Sequence, residues 1–585
     1  MNNKHWEALI DLQCEQPRSL GMELERLAVQ SADKIALTYK NRKFTYKELN
    51  CWSNRYSNYF RQQGLKKGDV VALLMENCPE YLMLVSGLSK LGVIVALINT
   101  GIRRGVLARD INLSEAKAII VGHKCLDIFL EAITMVRLKS PAKFYVAGKK
   151  ENGIPDKMLD LDMLVKSASD ENPSTTTSIN SKDQLVYLYT PGQSGLRKAV
   201  AVKQERWLKH GHFLSCFASL NENTVQYMCL PLYYHSGFIA AYSSMIISGS
   251  TMVLCENFSV QRFWQELRVY NANFVIAVGQ MARYLYNQPE KPDDIDNPLE
   301  IMISNGMRSD LIESFRRRFG LKHIMEAYAT TEGVGLFINY EETPSMCGNL
   351  SLNGRRQGEV VRYDFSQDKI VYQEDGRAQK CLPGEVGLLL CEINELNSFP
   401  GYINDPEATE LCILRNVFGQ GDQYFKTGDL MQLHENGYIS YVERLGDAYR
   451  CKGITVSAIQ VADVIKKFYG GIEECLVYPV KIPWVEGSCG MASLKLLEGE
   501  NLNWSEFSKH INQRMPEHAR PIFIRITQNL NWDQAENELK KSWREEGFNI
   551  DVVKDPMYFL DPQLNYYVPL TREIYNRIID QTIKF

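Results

Sequence analysis

Three short segments gather side chains suited to holding a phosphate ester. The run VYLYTPGQSGLRKAV passes from a β-branched and aromatic strand into a loop that holds Thr190, Gly192, Ser194, Gly195 and Lys198. Glycines let backbone N–H groups approach oxygens, hydroxyls add donors, and a lysine supplies a compact positive charge. Taken alone, the run reads equally as a strand followed by a surface turn. The segment MEAYATTEGVG places Tyr328, Thr331 and Glu332 just after another apolar run. Tyr328 offers a ring for stacking a purine, Thr331 a hydroxyl for a phosphate oxygen, and Glu332 a carboxylate for a Mg²⁺ whose other ligands are phosphates and water. The competing reading is a solvated polar loop. YFKTGDL sets Asp429 in a tight turn, where a carboxylate accepting two hydrogen bonds suits both hydroxyls of a ribose, although TGD is also a common turn. Arg444 follows, placed to pair with an anionic ligand reaching between domains.

The elements that must position these residues are legible as alternating patterns. KIALTY, FTYKELNCWSNRYSNYFRQQ, VVALLM, EYLMLVSGLSKLG and VIVALI alternate strand and helix signals, which predicts a parallel, helix-covered sheet. Leu49, Trp52, Tyr56 and Phe60 recur at steps of three and four, an apolar stripe facing that sheet. Residues 223–255 carry no Asp, Glu, Lys or Arg, yet Pro231, His235, Gly237 and Gly249 punctuate them. A buried strand, loop, helix and strand is therefore expected rather than a membrane span. From Gly348 to Tyr441 short strands and Gly-, Asn- and Asp-rich turns predict a β-rich subdomain. After Arg444 the βα texture resumes, so the main boundary is expected at RLGD, with Gly446 and Asp447 as its turn-forming residues.

A chain of 585 residues exceeds what one hydrophobic core usually organises, so several folding units with room for a buried ligand channel are expected. Hydrophobic residues at 45% and charged residues at 23% exclude a disordered or fibrous class. A net charge of -4 gives no overall pull toward nucleic acid or anionic lipid. The 14 cysteines lack CxxC or Cys/His ligand spacing, which predicts reduced, mostly buried thiols and no structural zinc. The start MNNKHWEALIDLQCEQPRSL shows no apolar signal core, so a cytoplasmic protein is expected.

In the order YTPGQSGLRK, YATTEG, YFKTGD and RLGDAYRCKG the chain resembles the adenylate-forming superfamily that includes the acyl-CoA synthetases. NCPEYLMLVSGLSKLGVIVALINTGIRR, MCLPLYYHSG, SVQRFW, SNGMRSDL, VEGSCGMA and MYFLDPQLNYYVPLTREIYNRI are similar to its fatty-acid transport protein or very-long-chain acyl-CoA synthetase branch. The similarity runs nearly end to end. It implies a multi-domain α/β fold: an AMP-binding region over 1–445, built of two α/β subdomains and a β-rich one, and a smaller mobile α+β domain over 446–585. It implies that a fatty or related carboxylic acid is joined to ATP, leaving an acyl-adenylate that coenzyme A then cleaves. ATP/AMP, Mg²⁺ and coenzyme A are thus the implied cofactors. Nucleic acid is not an implied partner; membrane contact is at most peripheral, and a second copy of the chain is compatible with the pattern. By the same resemblance Thr190, Gly192, Ser194, Gly195 and Lys198 hold the pyrophosphate end, Tyr328 and Thr331 contact adenine and α-phosphate, and Glu332 binds Mg²⁺. Asp429 and Arg444 hold the ribose, and Gly446 and Asp447 form the hinge. Separately, the apolar segment 232–247, whose helix begins at His235, is expected to line part of an acyl channel, with a purely structural core helix as the equal alternative. Lys198, Thr331, Glu332 and Arg444 form the implied catalytic set.

The chain departs from that pattern at several positions. Where the family loop reads approximately YTSGTTGxPK, Pro191 stands for serine, Gln193 and Ser194 for threonines, and Arg197 for proline. Pro191 removes a backbone N–H and fixes φ, which takes a donor from the cradle; Arg197 beside Lys198 is expected to restore charge. Over residues 519–548 the pattern fits without a gap, and the family's TGTFK falls on DQAEN. Asn537 thus occupies the place of the lysine that bridges carboxylate and α-phosphate, and losing one preorganised donor typically costs roughly 10²–10³-fold in rate. Lys540 and Lys541 stand one helical turn on, but Lys540 falls where the family has a second lysine. Gln460 replaces a glutamate, with consequences confined to local packing. Two functions follow: a ligase with weakened adenylation, or a nucleotide- or acyl-CoA-binding regulatory protein. Lys198, Thr331, Glu332, Asp429 and Arg444 favour the first, Asn537 and Pro191 the second.

Overall fold

The computed structural model describes residues 18–148, 153–190, 197–352, 355–364, 367, 369–395, 397–445, 449–451, 454–468, 471–485, 488–528 and 542–583. They divide into two compact units, the first drawn from residues 1–192, 196–349 and 393–413, the second from 193–195, 350–392 and 414–585. The division expected after residue 445 falls inside the second unit, and Gly446 and Asp447 lie outside the described residues.

In the first unit β1 (Ile35–Tyr39) and β2 (Arg42–Thr45) form an antiparallel hairpin. Where the sequence alternation predicts β1 in one parallel sheet with the strands that follow, and the residues from Phe44 as helix, the chain instead pairs β1 and β2 directly. Only Lys40 and Asn41 separate them, too short for a parallel crossover, and Lys40 turns the chain at φ 53°. β3 (Val70–Leu74), β4 (Ile94–Leu97), β5 (Ala118–Gly122), β6 (Lys143–Ala147), β7 (Leu159–Asp160), β8 (Gln184–Thr190) and β9 (Lys198–Lys203) make a seven-stranded sheet. Its order is β7-β6-β5-β3-β4-β8-β9, parallel except for the β8–β9 hairpin. A second, eight-stranded sheet takes β10 (Val225–Met228), β11 (Thr251–Leu254), β12 (Phe274–Val278), β13 (Ile301–Asn305), β14 (His323–Ala329) and β15 (Leu336–Ile338). Its order, β15-β14-β13-β12-β10-β11-β1-β2, carries antiparallel pairs only at its two ends.

Three N-terminal helices pack closely: α1 (Leu20–Gln30), α2 (Tyr46–Gln62) and α3 (Pro79–Lys90). Thr45 and Glu48 form a reciprocal capping box that starts α2, satisfying donors its first turn leaves open. Leu49, Tyr56 and Phe60 are buried as the spacing predicts, while Trp52 is half-buried with the Arg55 guanidinium 5.4 Å from its ring centre. Lys90 is fully buried at the end of α3, its ammonium donating to Glu25 at 2.9 Å and to Asn50 and Asn54 at 2.6 Å each. Burial pulls that lysine down to about 8. The uncharged stretch ahead of residue 255 becomes β10, a loop, a wide helical turn over His235–Tyr242, an α-helix over Ser243–Ser248, and β11. The first half of the expected helix is π-wound, a form frequent at functional sites. Gly237 sits so close to the Pro231 carbonyl that a Cβ would stand 2.3 Å from its oxygen. No described helix is long and apolar enough to cross a membrane.

In the second unit β16 (Gly358–Val361), β17 (Val386–Glu392), β18 (Gln423–Leu433) and β19 (Tyr438–Arg444) run antiparallel in the order β19-β18-β17-β16. Val361, Leu388, Leu390 and Val417 belong to a core of their own beneath this β-rich region. β20 (Ile472–Val480), β21 (Cys489–Leu496), β22 (Phe523–Ile526), β23 (Met557–Asp561) and β24 (Tyr566–Pro569) then form a five-stranded sheet in sequence order. Its core draws every buried member from between Tyr449 and Ile583. The architecture is mixed α/β throughout, and the 13 described cysteines are free thiols.

Candidate active site

The loop predicted to hold phosphate is the connection of the β8–β9 hairpin. Thr190 ends β8, Lys198 begins β9, and the two are direct partners across the ladder. The ammonium of Lys198 lies 4.6 Å from the ring centre of Tyr402, a cation–π contact. The phenol of Tyr402 donates to Glu332 Oε1 at 2.8 Å. Lys198 and Glu332 are thereby brought to one side chain, the first at its ring and the second at its hydroxyl. Among the described residues Tyr402 is the hydrogen-bond partner of the Glu332 carboxylate, which leaves Oε2 to meet a ligand.

The backbone that carries Thr331 and Glu332 is held from beneath by Arg206. This arginine lies in α4 (Gln204–Phe217) and donates to the Thr331 carbonyl at 2.7 Å and the Glu332 carbonyl at 3.1 Å. Burial lowers its guanidinium to about 10, the nearby Glu332 charge opposing the shift. Gly333 has φ +84°, and a Cβ there would stand 2.2 Å from the Arg206 guanidinium carbon, so the loop closes over the arginine only with glycine.

Beside this loop lies a cavity of about 250 Å³. Its walls include Leu214, Ala240, Ile276, Ile303 and Leu336, and Thr331, His210 and His235 give it polar edges. The two imidazoles meet edge to face with centres 4.8 Å apart. His210 Nδ1 lies 2.9 Å from the Arg206 carbonyl oxygen, and burial followed by the Arg206 charge pushes this histidine down to about 3. Burial also drives His235 well below its ordinary value, so both rings are neutral at physiological pH. A neutral, largely aliphatic chamber suits an apolar chain better than a charged one.

Glu326, on β14, fastens the neighbouring turn. Its carboxylate accepts from the Gly306 N–H and from the Met307 N–H at 3.1 Å, tying β14 to the end of β13. Burial raises it to about 8, and the two backbone donors act in the opposite direction. Tyr328, also on β14, is 8% exposed and stacks on Phe337 with centres 6.1 Å apart.

Asp429 and Arg444 belong to the second unit, where they are direct partners across β18 and β19. The tight turn predicted at Asp429 is instead the interior of a long strand. Gly428 takes φ 77°, and the ladder to β17 skips register between its Leu430 and Lys426 pairs, so a bulge absorbs the turn-like glycine. Arg197 does not add charge to the phosphate loop as expected. Its Nε donates to Asp110 Oδ2 at 2.7 Å in an ion pair whose side chains are 10% and 1% exposed, which commits the guanidinium to α-helical residue Asp110. Gln460 lies in the first turn of the helix Ala458–Lys466 and its N–H donates to the capping Ser457 hydroxyl at 3.2 Å. Pro191, Gly192, Gln193, Ser194, Gly195, Gly446, Asp447, Asn537, Lys540 and Lys541 lie outside the described residues.

Among the described residues no group of three or more His, Cys, Asp or Glu is arranged to hold a metal ion by itself. A single carboxylate with one open oxygen, such as Glu332, suits Mg²⁺ brought in by phosphates, because that ion keeps several waters and takes few protein ligands. Tyr402, Arg206 and His210 are the site residues that sequence reading misses. The spacing of Arg206 and His210, four apart on a helix, and the run PGYINDPEAT around Tyr402 are the signals that point to them afterwards.

Residues 24–403 match the family model described as AMP-binding enzyme. Long-chain fatty acid transport protein 2 of Rattus norvegicus is 35% identical over 560 residues, covering 95% of this chain and 90% of the relative. Medium/long-chain-fatty-acid–CoA ligase FadD6 of Mycobacterium tuberculosis is 31% identical over 559 residues, covering 95% and 90%. Among solved structures, the anthranilate CoA ligase AuaEII in complex with anthranoyl-AMP superposes with a TM-score of 0.75 at 17% identity, covering 91% of this chain and 98% of the other. A Mycobacterium tuberculosis fatty acyl CoA synthetase gives 0.64 at 19% identity, covering 90% and 98%. At those identities the solved structures speak for the fold, and the family match with its long, well-covered relatives speaks for descent: the chain belongs to the AMP-binding enzyme family, as an acyl-CoA synthetase-like member.

Proposed function

We propose that the chain is an AMP-forming fatty acid–CoA ligase whose adenylation step is weakened. A carboxylate oxygen attacks the α-phosphorus of ATP and the bond to pyrophosphate breaks. The thiol of coenzyme A, losing its proton, then attacks the acyl carbon and AMP departs. One observation carries the reading: Thr331 lines the aliphatic cavity while its neighbour Glu332 is joined through Tyr402 to Lys198. An apolar chain and a phosphate group would thus meet within one short loop. Thr331 would bond the α-phosphate, Lys198 with Thr190, Gly192, Ser194 and Gly195 the departing pyrophosphate, and Tyr328 would lie along the adenine. Mg²⁺, when bound at Glu332, would neutralise charge on the phosphates. Asp429 and Arg444 would take the ribose, and Gly446 and Asp447 would let a C-terminal domain, 446–585, turn between steps. The separate core within residues 449–583 supports that division. The fatty acid is the small-molecule partner, and the setting is the cytoplasm with at most peripheral contact with a membrane.

Three departures support the weakening: Asn537 in the lysine position, Pro191 in the cradle, and Arg197 spent on Asp110. The same three favour a second reading, a nucleotide- or acyl-CoA-binding regulatory protein. Pyrophosphate release measured across medium-, long- and very-long-chain fatty acids separates the two. Slow release that requires both ATP and an acid is expected. Absence of release with every acid, in a protein that still binds AMP, would contradict the ligase.

A further inference from the structure

We propose that Tyr402 is a positioning residue which presents Glu332 to the metal through a single oxygen and carries Lys198 on its ring, so that one side chain sets both cations' places around the phosphates. The inference rests on the reading of Glu332 and Lys198 given above.

The phenol donates to Oε1 of Glu332 at 2.8 Å, which leaves Oε2 as the oxygen available to a metal. A carboxylate with one oxygen taken by an O–H donor binds a metal through the other, and such outer partners fix the ligand's direction. The backbone beneath Glu332 is already fixed by the two Arg206 bonds, so the side-chain angles are the freedom left for Tyr402 to remove. Lys198 sits over the face of the same ring at 4.6 Å, held by quadrupole attraction that leaves its N–H donors open to phosphate oxygens.

Tyr402 is itself built in firmly enough to act as a template. Its N–H donates to Thr409 Oγ1 at 2.8 Å, and that hydroxyl donates to the Asp405 carbonyl at 2.8 Å. Asp405 caps the short helix Pro406–Cys412, which brings Thr409 into place. The next residue, Ile403, donates its N–H to the Ala199 carbonyl at 2.8 Å, and Tyr402 forms a bridge with Val200, so the segment is stitched to β9 directly after Lys198. Gly401 turns the chain at φ +88°, where a Cβ would stand 2.9 Å from Thr409 Cγ2. Phe399 meets the phenol ring edge to face with centres 5.4 Å apart. Burial, reinforced by the Glu332 charge, raises the phenol far above its ordinary value, so it remains a donor across the working pH range.

The test uses Mn²⁺ as the probe metal and adenylyl imidodiphosphate as the nucleotide. Mn²⁺ affinity in the ternary complex is read by electron paramagnetic resonance, and metal-free nucleotide affinity by calorimetry. Tyr402→Phe keeps the ring and removes the hydroxyl: Mn²⁺ affinity should fall about 10-fold or more with metal-free affinity unchanged. Tyr402→Leu should also weaken the metal-free triphosphate analogue while leaving AMP affinity alone. In a Glu332→Gln background, adding Tyr402→Phe should cost nothing further. Unchanged Mn²⁺ affinity in Tyr402→Phe, with Glu332→Gln losing it, would overturn the role of Tyr402 and leave the Glu332 reading standing. Equal losses with and without metal would also overturn it, as the mark of a purely structural side chain. Unchanged Mn²⁺ affinity in Glu332→Gln would instead sink the underlying reading, and the role of Tyr402 with it.

Discussion

Glu326 carries a pH dependence that its surroundings dictate. Burial lifts its carboxyl from 4.5 to about 8, so the folded chain holds this proton more tightly than the unfolded chain does. The stability it contributes is fully present below about 4.5 and is lost as pH rises through about 8. Glu326→Gln keeps the shape and an acceptor for the Gly306 and Met307 N–H groups but stays neutral. Thermal midpoints of the two proteins should converge near pH 5 and separate at alkaline pH with the variant higher, by a few degrees for each kcal/mol at stake, about 2–4 °C in a large domain. Parallel pH profiles would show that Glu326 is ionised in the fold across the whole range. Lys198, Thr331 and Glu332 were legible as types at telling spacings, because Gly-rich and TTEG-like runs advertise exposed backbone and polar ends of strands. Tyr402 was not, because its partners Glu332 and Lys198 are remote in sequence and a lone tyrosine after glycine looks like ordinary packing. Arg206 was hidden for a related reason: it binds carbonyl oxygens, which every residue type supplies.

At the scale of elements, apolar periodicity located the helices and strands well, since each pattern reflects which side faces a core. It did not locate sheet membership. KIALTY looks like the strands after it, yet β1 joins the other sheet by pairing parallel with β11, and the two-residue turn at Lys40 and Asn41 makes β2 its antiparallel partner. In sequence the Gly428 bulge reads as a turn, because glycine next to aspartate serves both. The contact of α2 with α3 is closer than helices usually allow, for a Cβ on Gly87 would stand 2.3 Å from the Ser53 carbonyl oxygen and 3.0 Å from Tyr56 Cβ. Gly87→Ala should therefore push the helices apart and cost about 1–3 kcal/mol, as overpacked cores do. Hydrogen exchange followed by mass spectrometry should show protection falling in both helices. Undiminished protection and an unchanged urea midpoint would mean that the helices accommodate the methyl group.

For the whole molecule, the family pattern is readable nearly end to end, because its motifs keep their order along the chain. The placement of the C-terminal region was less so: its sheet is closed by hydrophobic residues of 449–583, whereas the residues proposed as hinge and as lysine replacement carry no such pattern. The central claim is that this is a ligase hindered at adenylation, and Asn537 is where it is most exposed. Adenylation requires positive charge between the carboxylate and the α-phosphate, while thioester formation is proposed to follow a rotation that takes position 537 away. The two half-reactions should consequently be damaged unequally. The decisive measurement compares acyl-adenylate formation from ATP with acyl transfer to coenzyme A from preformed acyl-adenylate, in the natural protein, Asn537→Lys and Lys540→Ala. Expected are slow adenylation that rises roughly 10²–10³-fold in Asn537→Lys, little effect of Lys540→Ala, and acyl transfer at similar rates in all three. A fast natural adenylation abolished by Lys540→Ala would contradict the role given to Asn537, and silence in both half-reactions, even with the lysine restored, would contradict the ligase itself.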